Sequence, residues 1–165
     1  MIGGIKIHIW TLENWKKYYN LKQVRTGLRF KFDRNIDSEV RRACKEFGAW
    51  LRTGYNFPIR IPIYVKSSYY IRALDGELVN ATFFEPISRY HEPYIRIATG
   101  DYLDMLNEDG IDDALASIIG SIAHELTHYF QWINDIKLTE RGTERQANAY
   151  SRFILDEYAE TREHP

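Results

Sequence analysis

The longest apolar periodicity in the sequence runs through residues 112–133 and predicts an amphipathic helix. Apolar side chains recur there at the i, i+3, i+4 and i+7 spacing of one helical face. They are Leu115, Ile118, Ile119, Ile122, Ala123, Leu126, Phe130 and Ile133. A pattern this long is one of the clearest helix signals in the chain, and its apolar stripe marks the face that packs against the core.

The chain before this helix alternates between strand and helix patterns. Period-2 alternation predicts a strand at Ile5, Ile7 and Ile9 and another over 28–33, and helical patterns cover 11–22, with Thr11 as N-cap, and 37–53. The middle of the chain carries further strand candidates, separated by Gly, Pro and Asn turn signals, at 59–65, 69–73, 81–85 and 94–98. Pro62 makes the first of these an edge or irregular strand, and 100–110 is expected to be a polar loop or turn.

A second helix is predicted over 143–161, after a break that ends at Gly142. Thr143 and Gln146 fit a capping box at its start. The order is therefore a β-rich half with two helices, residues 1–110, followed by two long helices in 111–165. This order is typical of an α+β fold with a small mixed or antiparallel sheet.

Composition limits the class of protein. A length of 165 residues with 44 % hydrophobic residues predicts one domain, 1–165, with a real core. The net charge of −1 argues against a nucleic-acid partner, and the single cysteine, Cys44, excludes an internal disulfide and a four-thiolate zinc site. We find no signal peptide and no membrane-spanning stretch, so we expect a cytoplasmic protein without a membrane partner.

The helix over 112–133 contains the sequence His124-Glu125-Leu126-Thr127-His128. Residues i and i+4 of a helix lie about 40° apart around the axis and about 6 Å apart along it. Both imidazoles can therefore reach one metal ion, whereas Glu125, about 100° round from His124, is placed to hold a water on that ion. This H-E-x-x-H pattern combines two metal ligands and a general base on one helical turn.

A catalytic zinc needs a third protein ligand and one open position. The other histidines, His8, His91 and His164, do not follow the motif at a short ligand spacing. Glu144 lies 16 residues after His128, on the apolar stripe of the last predicted helix, where a carboxylate is costly unless it is paired or metal-bound. Glu140 shares that face and is the alternative third ligand.

Residues 112–156 resemble the ImmA/IrrE-type metallopeptidases. The resemblance rests on HELTHYFQ, a short connection, and the sequence ERQANAYSRFIL over 144–155. More broadly, the segment is similar to gluzincins, including the single-domain minigluzincins. In those families the glutamate of the second helix is the third zinc ligand, and this position corresponds to Glu144.

The resemblance implies a zincin-like fold and a zinc peptidase acting on a protein or peptide. His124, His128 and Glu144 would hold Zn²⁺ and Glu125 would act as general base. Zincins bind the substrate backbone along an edge strand beside the active-site helix, and our candidate for it is the strand Tyr94, Ile95, Arg96, Ile97 and Ala98. The alternative is a zincin fold without turnover, used as a sensor or protein-binding module.

Overall fold

The computed structural model describes residues 8–165, which form one small α+β domain, as the order of sequence patterns predicts. The α-helices are α1 (Ser38–Gly54), α2 (Tyr102–Asp109), α3 (Ile111–Ile133) and α4 (Glu140–Ala159). The strands are β1 (Leu28–Phe32), β2 (Ile61–Lys66), β3 (Ile71–Arg72), β4 (Leu78–Val79), β5 (Ala81–Phe84) and β6 (Tyr94–Ala98). The predicted strand at Ile5, Ile7 and Ile9 lies largely outside the described residues, and Ile9 begins a 3₁₀ turn.

The main sheet has the strand order β1-β2-β6-β5. Strands β1, β2 and β6 are parallel, whereas β5 pairs antiparallel with β6 and forms one edge of the sheet. Strands β3 and β4 form a separate antiparallel pair. Helices α1 and α3 pack against the main sheet, and α4 packs against α3.

The expectation that Pro62 places its strand at an edge is wrong, because β2 is paired on both sides. The backbone N–H of Ile61 donates to Gly27 on the β1 side, 2.9 Å from the carbonyl oxygen. Successive residues of a strand direct their N–H groups to opposite sides, so Pro62 lacks a donor toward β6. Pairing with β6 begins only one residue later, at Ile63 opposite Ile95, so the missing donor interrupts no pair of the β2–β6 ladder.

The strand Tyr94–Ala98 exists as predicted, but its expected place at the sheet edge is wrong. It is β6, which has β2 on one side and β5 on the other. Both backbone edges are therefore occupied by neighbouring strands. The edge strand next to α3 is β5, Ala81–Phe84.

The predicted helix over 11–22 is absent, and the segment instead forms two 3₁₀ turns, Ile9–Thr11 and Asn14–Lys17. Two buried tryptophans fix this irregular path against α3. The indole Nε1–H of Trp10 donates to Thr127 Oγ1 at 3.1 Å, and the backbone N–H of Trp15 donates to Asn134 Oδ1 at 3.3 Å. Tertiary contacts have overridden local helix preference here.

Residues 102–109 form the helix α2 rather than a polar loop. Tyr102, Met105 and Leu106 lie at i, i+3 and i+4 and pack against the core, which gives this short helix one apolar face. The helix ends at Gly110, whose φ of 87° is a conformation that favours glycine. The acidic residues between the apolar positions hide this pattern in the sequence.

The two long helices match the predicted ones closely. Helix α4 begins three residues before the predicted start, and its N-cap is Thr139 instead of Thr143, with the Thr139 side chain accepting from the Gly142 N–H at 3.0 Å. None of the helices within residues 8–165 combines the length and apolar character that crossing a bilayer requires.

The thiol of Cys44 gives a test of the core on α1. Cys44 is completely buried, and burial raises the pKa of its thiol to about 12. Because the thiolate is the reactive form and it appears only as pH approaches the pKa, we expect no reaction of the folded protein with a thiol reagent between about pH 7 and 9. Unfolding in guanidinium should expose one reactive thiol per chain. Reaction of the native protein at the rate of a free thiol would contradict this packing.

Candidate metal centre

Helix α3 and helix α4 bring three potential ligand atoms together. The Nε2 atoms of His124 and His128, one turn apart on α3, are 3.2 Å from each other. The carboxylate of Glu144 on α4 lies across from them, with Oε2 3.1 Å from His124 Nε2 and Oε1 3.1 Å from His128 Nε2. Within residues 8–165, these three side chains form a group that is close enough to bind one metal ion.

The spacing of these atoms suits a tetrahedral ion. Ligand atoms at ~2.0–2.1 Å from a tetrahedral centre are about 3.3 Å from each other. The two imidazole nitrogens, 3.2 Å apart, are close to that value, and each of them lies 3.1 Å from a different oxygen of the Glu144 carboxylate. Three protein ligands would leave the fourth position of a tetrahedral ion open.

Gln131 determines which nitrogen of His128 faces the cluster. His128 Nδ1 is 2.8 Å from Gln131 Oε1. The Gln131 Nε2 donates to Thr143 O at 3.1 Å and to Gln146 Oε1 at 2.9 Å, so Oε1 is the acceptor and His128 Nδ1 carries the proton. In the neutral tautomer with this proton, the lone pair of Nε2 would be directed toward the carboxylate of Glu144, which is the orientation that a metal ion between them requires.

Sequence reasoning missed Gln131, although it lies only three residues after His128 and closes the stretch HELTHYFQ. Its side chain is buried and ties α3 to the first two turns of α4. The local signal was present, because i and i+3 are neighbours on a helix. Its bonds to Thr143 and Gln146 depend on how α4 packs, which the sequence does not reveal.

His124 is held in its neutral form. Its pKa is lowered, first by burial and then by the nearby His128, whereas Glu144 and a hydrogen bond to the Asn148 side chain act in the opposite direction. A neutral imidazole can donate its lone pair to a metal ion at neutral pH.

Glu125 lies beside the cluster but does not belong to it. It is buried, with 8 % of its surface exposed, and its pKa is raised to about 8, mainly by burial and then by the negative charge of Glu144. A hydrogen bond from the backbone N–H of Phe83 acts in the opposite direction and favours the carboxylate. The motif therefore places two ligands on one side of the turn and a separate carboxylate next to them.

An open cleft of about 580 Å³ leads to these residues. Ala81, Thr82 and Phe83 of β5 form one side, and His124, His128 and Glu144 form the other. Because β6 occupies one edge of β5 and the Phe83 N–H reaches Glu125, the free edge of β5 faces the cleft. Strand β6, the predicted substrate strand, does not line this cleft.

Glu144 differs from expectation in its burial. The apolar stripe of α4 predicted a core-facing carboxylate, but 54 % of the side chain is exposed. It lies at the rim of the cleft and reaches the histidines from there. Glu140, the alternative ligand, is one turn earlier on α4 and outside the ligand group. His164 also lies outside the ligand group and pairs with Asp112, with 2.9 Å between Nδ1 and Oδ2.

No protein-family model matches the sequence, and no curated protein matches it either.

The choice between Glu144 and Glu140 is testable with a matched pair of variants. We expect Glu144→Gln to weaken binding of added Zn²⁺ by more than the roughly 10–100-fold that loss of an outer hydrogen-bond partner costs, because a direct ligand is removed. Glu140→Gln, which removes the same charge one turn away, should bind Zn²⁺ as the unchanged protein does. Competition against a chromophoric zinc chelator measures both. Equal losses in the two variants would show that charge, not ligation, is being measured.

The role of Gln131 is testable by the same titration. Gln131→Ala should weaken Zn²⁺ binding by about 10–100-fold, because His128 loses the partner that orients its ring. Gln131→Glu keeps an acceptor for the His128 Nδ1–H and should recover part of the affinity. Gln23→Ala, at an exposed site far along the chain, serves as control. Wild-type affinity in Gln131→Ala would rule out the orienting role.

Proposed function

We propose that this protein is a zinc-dependent peptidase. The observation that carries the proposal is the grouping of His124, His128 and Glu144 around one point, with the buried Glu125 next to them and an open cleft in front. A protein that only binds a metal needs the three ligands but has no use for Glu125. The resemblance of residues 112–156 to ImmA/IrrE-type metallopeptidases and gluzincins supports the same assignment.

Zinc is the metal that this donor set favours. Two imidazole nitrogens and one carboxylate oxygen are a typical ligand set of catalytic zinc in peptidases. The soft ligand that would favour other metals is missing, since Cys44 lies buried on α1 and takes no part in the group. His128 also has the outer hydrogen-bond partner that a metal-bound histidine typically has, because its Nδ1 contacts Gln131 Oε1.

Glu125 would act as the general base and then as the general acid. Zinc, when bound, polarises the peptide carbonyl and lowers the pKa of a water toward ~7. The ionised form of Glu125, which a bound cation would favour, would accept a proton from the attacking water and would then pass it to the leaving amine. Its burial next to the cleft keeps the carboxyl group within the water-poor part of the site.

The free edge of β5 would hold the substrate backbone. Residues two apart on a strand direct their N–H and C=O groups to the same side, so Ala81 joins Phe83 in facing the cleft. The Phe83 N–H already donates to Glu125, so the groups on this edge that remain for a peptide are the Ala81 N–H and the carbonyls of Ala81 and Phe83. An extended peptide that pairs with them as a further strand would bring its carbonyl groups past the ligands. This assignment replaces the expected role of Tyr94–Ala98, whose backbone is already paired on both sides.

The substitution Glu125→Gln tests the function. We expect the variant to keep zinc and to lose hydrolysis of a quenched fluorescent peptide library by about 100-fold or more, because the amide cannot accept the proton. Zinc content by mass spectrometry and cleavage rate are measured on the same preparation. Glu108→Gln, an exposed carboxylate on α2, is the matched control.

Three outcomes separate the alternatives. Cleavage by the wild type and not by Glu125→Gln supports the proposal. Cleavage by both at the same rate contradicts the proposed role of Glu125. Zinc binding by both with no cleavage of any library peptide would favour a zincin-like sensor or binding module.

A further inference from the structure

A row of arginines on α4 continues outward from the candidate metal centre. Arg141, Arg145 and Arg152 lie at i, i+4 and i+11, which places them within about 40° of one another around the helix axis. All three are exposed. They lie on one exposed face of α4, which also carries Glu144, the candidate ligand from this helix. We call this set the arginine row.

The arginine row makes no ion pairs within the described chain. None of the three arginines pairs with a carboxylate of residues 8–165, although other arginines of the chain do. Glu140 and Glu144 lie on the same face, so three arginines against two glutamates leave it with one net positive charge. Glu144 faces the two histidines. The whole chain has a net charge of −1, so this positive surface is local.

This face of α4 adjoins the cleft. Glu144 borders both, and a further depression, of about 400 Å³, is lined by His124 and by Asn148, which lies between Arg145 and Arg152 along the helix. A chain lying in the cleft can therefore continue along α4. From Arg141 to Arg152 the row extends about 16 Å, which equals about five residues of an extended peptide.

We propose that the arginine row binds acidic side chains of a polypeptide substrate, within about five residues on one side of the bond to be cleaved. This inference rests on the proposed peptidase function and adds the substrate class. Exposed arginines and carboxylates attract each other modestly, but three aligned charges on one helix face add selectivity and speed association. The free edge of β5 would bind any extended backbone, whereas α4 would select by charge.

Nucleic acid fits this surface less well than an acidic peptide does. Three arginines on one helix face form a small patch, and a nucleic-acid face typically requires a broader basic excess. The β5 edge offers backbone hydrogen bonds that a second polypeptide strand can complete.

Equilibrium binding tests the proposal without depending on cleavage. The full chain carrying Glu125→Gln, loaded with zinc, is titrated into two labelled peptides that differ only in about five Asp/Glu residues, replaced by Asn/Gln in the second. At low ionic strength we expect the acidic peptide to bind about tenfold more tightly, with the preference falling as salt is added. A single-stranded oligodeoxythymidylate is the third probe.

Matched variants locate the effect. Arg141→Gln/Arg145→Gln/Arg152→Gln should abolish the preference for the acidic peptide, as measured by the ratio of the two dissociation constants. Arg29→Gln/Lys31→Gln/Arg34→Gln removes the same three charges from exposed residues on and next to β1, at the opposite edge of the sheet from β5, and should keep the preference. Zinc content and thermal unfolding, measured for both variants, show that each remains loaded and folded.

Each outcome decides for or against the arginine row. Equal affinity for the two peptides, or the same loss of preference in the β1 variant, would overturn the proposal. Tighter binding of the oligonucleotide than of the acidic peptide, lost in the α4 variant, would overturn it in favour of nucleic acid. If the acidic preference is present but wild-type protein cleaves no peptide, the peptidase function fails and the arginine row stands. If both peptides bind and are cleaved equally, the peptidase function stands and the role of the arginine row fails.

Discussion

The burial of α3 on almost all of its sides is the constraint on which the site depends. Of its 23 residues, 14 are buried, and the helix contacts the sheet, α1, α2 and α4. Even its polar side chains are held, as when Tyr129 OH donates to the Ile59 carbonyl at 2.6 Å and accepts from the Ile59 N–H at 3.1 Å. A helix so fixed cannot rotate, so His124 and His128 keep their direction toward the cleft at little cost in side-chain freedom.

The second constraint is the connection between α3 and α4 through Gln131. One amide group orients His128 and also holds the first turns of α4, by bonds to Thr143 and Gln146. The position of α4 in turn sets the position of the Glu144 carboxylate. Because Glu144 is more than half exposed, packing alone does not fix it, and the hydrogen bonds of Gln131 supply the missing restraint.

What the sequence could predict was local. The helix α3, its motif and Glu144 rest on helical spacing, which is a property of neighbouring residues. The pairing of β6 between β2 and β5 joins segments that are far apart in the chain, and no local pattern records it. For the same reason, the sequence alone predicts an edge position for Pro62. The proline is tolerated in a central strand because pairing with β6 starts one residue later. The irregular path of residues 9–17 likewise depends on a long-range contact, the hydrogen bond from the Trp10 indole to Thr127.

The cleft and the exposed face of α4 beside it differ in chemistry, since β5 lines the cleft and the arginine row lies outside it. Strand β5 presents backbone groups, which recognise an extended chain regardless of its side chains. Helix α4 presents the charges of the arginine row, which act over a longer distance than hydrogen bonds but are screened by salt. Selectivity by charge would therefore come from α4 and not from the strand edge. Since Glu144 belongs to α4, the element that would hold the metal is also the element that would select the substrate.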